Sequence, residues 1–302
     1  MAPKLSVITP SYNQGKFIER TIRSVLDQGY PNLEYAIVDG GSTDETVEII
    51  RRYEDRLAWW VSEPDEGQTD AINRGIERTD GEIVAYINSD DYYLPGAFKA
   101  AIAAIEGSDR GWVAGASVDI LDGDPPTDLG VWQPEPPSAS EGPLPGRHWW
   151  LLRPWHVPQP SVFWRRELFD RHGLFRMDMT SAFDAEFMVR LAMAGEMPEL
   201  LREEVLAARF GHAEQKSRRT GRARGEIRRS AELYLPTLTP SERRRYAWLK
   251  NPVRAWHAVR DTIVEPSLRF GGRLLDHVPE RLRPRIRGRD RRPSVGELAR
   301  RN

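Results

Sequence analysis

The stretch GEIVAYINSDD, residues 81–91, decides the fold. An almost wholly apolar strand over residues 83–87 runs directly into a polar turn that ends in two adjacent carboxylates, Asp90 and Asp91. A strand that is apolar along its whole length predicts burial on both faces, which is typical of a parallel sheet covered by helices on each side. Ligands of such sheets bind beyond the carboxyl ends of the strands. The stretch therefore predicts an α/β fold and the edge of the sheet where a site should lie.

Strands and helices alternate along the chain before this stretch. Strand patterns cover residues 4–9, 33–38 and 57–61, and helical patterns cover residues 17–26, a segment capped by Ser42 or Thr43, and residues 69–78. This alternation predicts a Rossmann-like, mostly parallel sheet with helices on both faces.

The pattern after residue 91 is less regular. We predict a helix after Pro95 and a surface loop over the Pro- and Gly-rich residues 122–146. The remaining predictions are strands over 112–121, over 162–164 and within 197–210, and helices over 165–171 and 184–194.

Composition divides the 302-residue chain in two. Residues 216–302 carry 24 basic and 9 acidic side chains, whereas residues 1–215 carry 20 basic and 36 acidic ones. We therefore predict a catalytic domain over 1–217 and a helical, Arg-rich extension over 218–302 with a disordered end. The extension either packs on the acidic body or binds an anionic membrane surface, and we expect no nucleic-acid partner.

The residue inventory excludes several classes of protein. The chain has no cysteine, which excludes a disulfide scaffold, a thiolate metal site and a cysteine nucleophile. It has no apolar run long enough to span a bilayer. Because the residues after Met1 lead straight into a strand pattern, we expect no secretory signal there. We expect a cytoplasmic protein, located at the inner face of the membrane if the extension binds lipid.

Four strand ends carry polar, acidic or glycine-rich turns. They cover residues 10–15, 39–44, 63–70 and 88–91. Adjacent carboxylates such as Asp90 and Asp91 repel one another unless a cation is present, and carboxylate oxygens suit Mg²⁺ or Mn²⁺. Each turn alone is equally consistent with ordinary loop chemistry. The convergence of all four on one edge favours a single shared site.

The order and spacing of four segments resemble family-2 glycosyltransferases, which have the GT-A fold. The segments are TPSYNQGKFIERTIRSVLDQ, IVDGGSTDET, SEPDEGQTDAINRGI and GEIVAYINSDD, and the resemblance covers residues 5–217. It implies an inverting, metal-dependent enzyme that moves a sugar from a nucleotide-diphosphate sugar, with UDP favoured, to an acceptor hydroxyl.

The resemblance also implies roles for individual residues. The metal, Mn²⁺ or Mg²⁺, would be bound by Asp90 first, by Asp91 second and by His212, while Asn88 stands where the family has its first acidic residue. The residues that would bind the nucleotide sugar are Pro10, Ser11, Tyr12, Asp39, Asp65, Gln68, Asp70, Asn88 and Ser89.

The family's catalytic base matches Asp184 at the start of a predicted helix. Phe183 replaces a glutamate common in the family, so Asp184 is the sole candidate there, with Glu186 as a fallback. The alternative is that Asp184 only caps the helix. Gln159 and Trp164 match the acceptor side, and packing is the alternative for both.

The resemblance predicts a role in cell-envelope or exopolysaccharide glycan synthesis. One alternative is an enzyme that transfers sugar to a polyprenyl phosphate, whose acceptor needs no added base. A second alternative is a non-catalytic nucleotide-sugar-binding protein, which would keep Asp39 but has no need of Asp184.

Overall fold

The structure is a computed structural model that describes residues 2–123, 127–134, 151, 157–212 and 222–249. Its centre is one mixed sheet. The strands are β1 Leu5–Ser11, β2 Leu33–Asp39, β3 Trp59–Ser62, β4 Ile83–Tyr86, β5 Tyr92–Tyr93, β6 Trp112–Leu121, β7 Thr127–Trp132, β8 Val162–Arg165 and β9 Glu199–Gly211. The α-helices are α1 Ile18–Leu26, α2 Thr46–Arg51, α3 Gln68–Arg78, α4 Ala97–Glu106, α5 Glu167–His172, α6 Phe183–Met193, α7 Arg222–Tyr234 and α8 Pro240–Leu249.

The first four strands form the parallel half of the sheet. The strand order is β3-β2-β1-β4-β8-β6-β9-β5, with β7 beside β6. Ser11 pairs with Asp39, and Asp39 pairs with Ser62, so β1, β2 and β3 end level with one another. The loops that follow these strands therefore leave the sheet at one edge, as predicted.

The second half of the sheet is mixed. Strand β8 runs antiparallel to both β4 and β6, whereas β9 runs parallel to β6. The two-residue strand β5 pairs antiparallel with β9. The predicted α/β class is confirmed, with parallel pairing in the first half and mixed pairing in the second.

Helices cover both faces of the sheet, and the side-chain alternation of β1 explains why. Val7 lies in one buried cluster with Ile18 and Ile22 of α1. Its neighbour Ile8 points to the other face and lies in a second cluster with Ile72 of α3. At Gly75 of α3, an added Cβ would lie 2.5 Å from Cγ2 of Ile8, so glycine allows this helix its close approach to the sheet.

Three predicted details differ from the structure. Strand β7 lies within the segment predicted as a surface loop, where it pairs with β6 from Ser117↔Trp132 to Leu121↔Thr127. Helix α2 begins at Thr46, and the Asp44 carboxylate, rather than a hydroxyl of Ser42 or Thr43, accepts the Thr46 N–H at 3.0 Å. The short strand β5 had no counterpart in the sequence pattern. The predicted disordered end and the 217/218 boundary lie outside the described residues.

The described part of the extension packs on the body. Ala231, Leu238 and Tyr246 are buried in the same cluster as α3 and α6. Residues 222–249 thus make the contacts that the packing alternative predicts. Among the residues that the structure describes, no helix is both long and apolar enough to cross a bilayer.

Candidate active site

Hydrogen bonds join the first two loops at the carboxyl edge of the sheet. The backbone N–H of Asn13 donates to Oγ of Ser42 at 2.7 Å, and Oδ1 of Asn13 accepts the Thr43 N–H at 2.9 Å. Asn13 has a φ of 52°, a left-handed conformation that asparagine tolerates better than most residues. The asparagine thus locks the loop after β1 to the loop after β2.

Asp39 ends β2 and organises the second and third loops from beneath. Its carboxylate accepts the Ser42 N–H at 2.8 Å, the Ser42 hydroxyl at 2.5 Å and the Ser62 hydroxyl at 2.7 Å. The residue is completely buried. In this conformation Asp39 orients Ser42 and the turn around it, and its own oxygens are not exposed.

The end of β1 presents one aromatic ring to solvent. Tyr12 is 61% exposed, the highest value among the large hydrophobic side chains of the described residues. Its neighbour Ser11 is buried, and the Ser11 hydroxyl has no hydrogen-bond partner among those residues. Pro10 and Ser11 therefore form the floor of this edge, while the Tyr12 ring is free to stack on a flat ligand.

The third loop brings two more carboxylates to the edge. An added Cβ on Gly40 would lie 3.0 Å from the Asp65 carboxylate, so the glycine permits this close approach of two loops. Burial, followed by the charges of Asp70 and Asp39, raises the pKa of Asp65 above its usual range. Asp70 pairs with Arg74 at 3.3 Å. The predicted residues Asp39, Asp65 and Asp70 thus form one acidic group.

Gln68 connects the third loop to the fourth. Its Nε2 donates to Oδ1 of Asn88 at 2.6 Å, and Nδ2 of Asn88 donates to Oδ2 of Asp91 at 3.3 Å. The other Asp91 oxygen accepts the Phe210 N–H at 3.0 Å, and Asp91 is only 1% exposed. Both oxygens of Asp91 serve the fold, which argues against the predicted role of Asp91 as a metal ligand.

The side chain of Asp90 contacts His212 and not the partners of Asp91. Its Oδ2 lies 3.0 Å from Nε2 of His212, and its side chain is 14% exposed. Arg20 donates to the Asp90 carbonyl at 3.2 Å, and the Thr21 hydroxyl bonds the carbonyls of Ser89 and Asp91 at 2.9 and 2.6 Å. Helix α1 therefore holds the turn that presents Asp90, with the buried Ser89 as part of its frame.

The Asp90–His212 pair is an incomplete set of metal ligands. Within the part of the chain that the structure describes, no group of three or more His, Cys, Asp or Glu side chains could enclose a cation. One carboxylate and one imidazole fit Mg²⁺ or Mn²⁺ only if phosphate oxygens and water complete the coordination. The residues present fit a cation that arrives with a diphosphate.

Asp184 lies in the first turn of α6. It is partly buried, its Oδ1 accepts the Ala185 N–H at 2.8 Å, and burial raises its pKa to about 6. Burial, followed by the charges of Asp184 and Asp91, also raises the pKa of Tyr86 at the end of β4. Asp184 thus lies close to the fourth strand end and has the ionisation of a base suited to neutral pH.

The fallback residue Glu186 has another function. It is fully buried, its Oε2 accepts from Arg190 at 2.5 Å, and its Oε1 accepts the Tyr234 hydroxyl at 2.5 Å. Because its oxygens bind these partners, Glu186 serves packing between α6 and α7. Phe183, which stands in place of the family's glutamate, is buried in the core.

The two acceptor-side predictions have different outcomes. Nε2 of Gln159 donates to the Tyr86 carbonyl at 3.1 Å, which places the partly buried side chain beside the end of β4. Trp164 is completely buried, and its ring lies parallel to that of Tyr86 at 6.0 Å between centroids. This burial argues against contact between Trp164 and a sugar, and the aromatic core around it accounts for its presence.

Sequence reasoning missed several residues that build the site. Ser62, Arg20 and Thr21 lie within the family-like segments but were given no role, although each bonds a predicted residue. Glu226, in the Arg-rich extension, accepts three backbone N–H groups of the segment before Asp184. Its position in a basic helix gave no signal of this role.

The chain belongs to glycosyl transferase family 2, because the sequence model of that family matches residues 6–172. Among curated proteins it is 32% identical over 201 residues to an uncharacterised glycosyltransferase of Mycobacterium tuberculosis, a match that covers 65% of this chain and 71% of the relative. It is 46% identical over 92 residues to the putative teichuronic acid biosynthesis glycosyltransferase TuaG of Bacillus subtilis, covering 30% of this chain and 36% of TuaG.

Two solved structures have the same fold. TarS 1–349 of Staphylococcus aureus in complex with UDP-GlcNAc aligns with a TM-score of 0.63 at 19% identity, over 90% of this chain and 77% of the TarS chain. A mannosyltransferase of Pyrobaculum calidifontis in complex with GDP-Man and Mn²⁺ aligns with a TM-score of 0.54 at 19% identity, over 87% of this chain and 85% of its own. The predicted GT-A-type fold is confirmed by these similarities.

Proposed function

We propose that this glycosyltransferase inverts the anomeric configuration as it moves a sugar from a nucleotide-diphosphate sugar to an acceptor hydroxyl. The observation that carries the proposal is the position of Asp184, a partly buried carboxylate with a pKa of about 6 beside the edge where four loops meet. A group with this pKa is mostly ionised at pH 7 and can accept a proton from a hydroxyl.

The four loops supply the donor site. The exposed Tyr12 ring is suited to stack on a nucleobase, and the partly exposed carboxylates of Asp65 and Asp70 offer acceptors for base and ribose N–H and O–H groups, whereas the buried Asp39 would orient Ser42 beneath them. Ser42, Gln68, Asn88 and Ser89 frame the loops. UDP is the nucleotide we favour, in keeping with the UDP-GlcNAc complex of TarS.

Asp90 and His212 would hold a Mg²⁺ or Mn²⁺ ion together with the diphosphate. When bound, such an ion neutralises the charge that develops on the departing nucleoside diphosphate. The partial exposure of Asp90 supports this role, whereas Asp91 would hold the shape of the turn. The complex of the Pyrobaculum mannosyltransferase with Mn²⁺ is consistent with it.

Inversion follows from a single displacement. With the donor at the strand ends and Asp184 at the start of α6, the acceptor hydroxyl would lose its proton to Asp184 and attack the anomeric carbon. The nucleoside diphosphate would leave on the opposite side. Gln159, held on the Tyr86 carbonyl, would border the acceptor. Alignment of the two substrates supplies much of the acceleration in reactions of this kind.

We propose cell-envelope or exopolysaccharide glycans as acceptors, in keeping with two similar proteins, the putative teichuronic acid biosynthesis glycosyltransferase TuaG and the poly(ribitol-phosphate) beta-N-acetylglucosaminyltransferase TarS. A polyprenyl-phosphate acceptor is the alternative. Because a phosphate is already ionised at neutral pH, it needs no base, so the presence of a carboxylate at the start of α6 is in keeping with a hydroxyl acceptor. A non-catalytic binding protein has no need of this carboxylate.

Membrane association is a separate proposal for residues 250–302. Those residues continue the basic extension, and anionic lipids attract such segments by about 1 kcal/mol per Lys or Arg near the surface. Flotation with anionic vesicles should therefore be stronger for the full chain than for a chain truncated after Leu249, which retains α7 and α8. Equal flotation of the two forms would contradict the proposal.

One experiment tests the central proposal. Nucleotide sugars are screened with Mn²⁺ for release of nucleoside diphosphate, with hydroxyl glycans and with a polyprenyl phosphate as acceptors. Asp184→Asn is compared with Asp170→Asn, a matched change at an exposed aspartate of α5. We expect glycan-dependent release that Asp184→Asn lowers by about 10²–10⁴-fold and Asp170→Asn preserves, with an inverted product by NMR. Equal rates for both variants would reject Asp184 as the base.

A further inference from the structure

The segment that leads into Asp184 is held from two sides. We call residues 173–182, between α5 and α6, the approach loop. Helix α3 holds one side, because the Thr69 hydroxyl donates to the Met179 carbonyl at 3.0 Å and the Asn73 amide donates to the Phe175 carbonyl at 2.8 Å. Helix α3 begins directly after the donor-side loop of residues 63–67.

Helix α7 of the extension holds the other side through one carboxylate. Oε2 of Glu226 accepts the N–H groups of Thr180, Ser181 and Ala182 at 3.1, 2.7 and 3.0 Å, and Oε1 accepts the Thr180 hydroxyl at 3.1 Å. These residues end the approach loop, and the last of them, Ala182, is the N-cap of α6. Two residues further on lies Asp184.

The charge on Glu226 suits this position. Burial alone would raise the pKa of Glu226, but the hydrogen bonds from Ser181, Thr180 and Ala182 outweigh it and lower the pKa below its usual range. The side chain is therefore ionised at neutral pH. A negative charge at the positive end of a helix is favourable, and here it lies at the end of α6 that carries Asp184.

Two further contacts fix α7 against the same elements. Arg229 donates to Oδ2 of Asp178 at 2.6 Å, within the approach loop. Tyr234 donates to Glu186 at 2.5 Å, inside α6. Because α7 touches both the approach loop and α6, its docking defines where the first turn of α6 lies.

We propose that Glu226 is a positioning residue for Asp184: the extension completes the active site by holding the turn that carries the catalytic base. The proposal rests on the proposed function, in which Asp184 is that base. Glu226 itself touches neither donor nor acceptor. It acts through three backbone N–H groups, those of Thr180, Ser181 and the N-cap residue Ala182, directly before α6. The extension is thus part of the catalytic unit and not only an appendage to it.

A first test needs no substrate. Hydrogen exchange of the amides of residues 180–186 is compared in the full-length protein, Glu226→Gln, Glu226→Ala and the matched control Glu232→Gln. Glu232 lies on the exposed side of α7. We expect the amides of residues 180–186 to exchange at least about tenfold faster in both Glu226 variants and at an unchanged rate in Glu232→Gln. The amides of α1 should exchange at the same rate in every variant, which reports that the chain is folded. Unchanged exchange in both Glu226 variants overturns the proposal.

A second test separates positioning from a general loss of structure. With the nucleotide sugar found active in the donor screen, kcat of Glu226→Gln should fall by about 10–100-fold while the KM for the donor stays unchanged, because a small displacement of a catalytic group has this effect.

The Glu226 charge also contributes to the raised pKa of Asp184, after burial. Its removal should therefore shift the acid limb of the pH–rate profile to lower pH. Glu226→Asp, which keeps the charge, should restore part of kcat and move the limb back.

The outcomes distinguish this proposal from the proposed function. If Asp184→Asn is inactive while Glu226→Gln has wild-type kcat and pH profile, Glu226 does not position the base and the inference is wrong. If Asp184→Asn is fully active, the base assignment is wrong, whatever the exchange data give for the approach loop.

Discussion

Nε2 of His212 lies 3.0 Å from Oδ2 of Asp90, although 122 residues separate them in the chain. The contact joins the turn after β4 to the end of β9, and the His212 ring lies 4.3 Å from that of Phe17. Asp90 and His212 are therefore held as a pair at the edge of the sheet where the donor would bind.

Asp90→Asn should remove most turnover and leave the fold intact. The amide keeps the shape of the carboxylate but loses the charge that a divalent cation requires. Donor turnover in the presence of Mn²⁺ is the measurement, and Asp27→Asn, at an exposed position, is the control. Near-normal activity of the wild type after treatment with a chelator would contradict the metal assignment.

Asp184→Asn should lower transfer by about 10²–10⁴-fold, the contribution of a general base. Donor affinity should hardly change, since in the proposed mechanism Asp184 would contact the acceptor and not the donor. Transfer rates and donor titrations on the same preparation measure both quantities. Loss of donor binding with residual transfer would assign Asp184 to the donor site instead.

The transfer rate of the wild type should rise with pH across pH 6 and then reach a plateau. The reason is that burial raises the pKa of Asp184 to about 6, so the carboxyl is protonated and inactive below that value and ionised above it. The pH dependence of kcat/KM measures this ionisation in the free enzyme. A rate that is flat between pH 5 and pH 8 would not fit.

Asp184→Asn should also stabilise the folded protein at neutral pH. The folded-state pKa of Asp184, about 6, lies above the ordinary value of 3.8, so ionisation lowers the free energy of unfolding as pH rises between these values. Asparagine does not ionise and avoids the loss. We expect Asp184→Asn to raise the free energy of unfolding by about 3 kcal/mol above pH 6, and the gain to vanish below pH 3.8. Urea unfolding of the wild type and Asp184→Asn at pH 7.5 and pH 3.5 measures this difference in the free energy of unfolding. An equal difference at the two pH values would show that ionisation of Asp184 is not its cause.

Trp164→Ala should destabilise the protein by about 3–5 kcal/mol, as expected for truncation of a large buried aromatic residue. Phe169, Phe175 and Phe187 all lie within 6.3 Å of its ring centroid. Trp164→Phe should cost less and should leave the acceptor KM unchanged. A tenfold rise in that KM would show that Trp164 contacts the acceptor after all.

The donor edge was predictable because its signal is local. Each strand of the parallel half is a short apolar run that ends in Asp, Asn, Ser or Gly, and β1, β2 and β4 place those ends together. The predicted bounds of these strands differ from those of the structure by at most two residues. The periodicity that predicts the strands also predicts where their loops meet.

The roles of neighbouring residues were not predictable, because three-dimensional contacts decide them. Asp90 and Asp91 are adjacent carboxylates, yet Asp91 bonds the Phe210 backbone of a strand far along the chain while Asp90 faces the site. Strand β7 is extended because it pairs with the backbone of β6, although the residues around β7 have the composition of turns. Glu226 was hidden for the same reason, since its importance lies in backbone N–H groups that no side-chain pattern reveals.

The position of Glu226 on the chain has a consequence for biosynthesis. The first three loops of the donor edge and Asp90 leave the ribosome first, Asp184 and then His212 follow them, and the carboxylate that fixes the turn of Asp184 is added last, 42 residues after Asp184. Segments near the N-terminus generally fold first during translation. A nascent chain would thus be able to bind a nucleotide sugar before it could transfer the sugar, and only the completed protein would become a working enzyme.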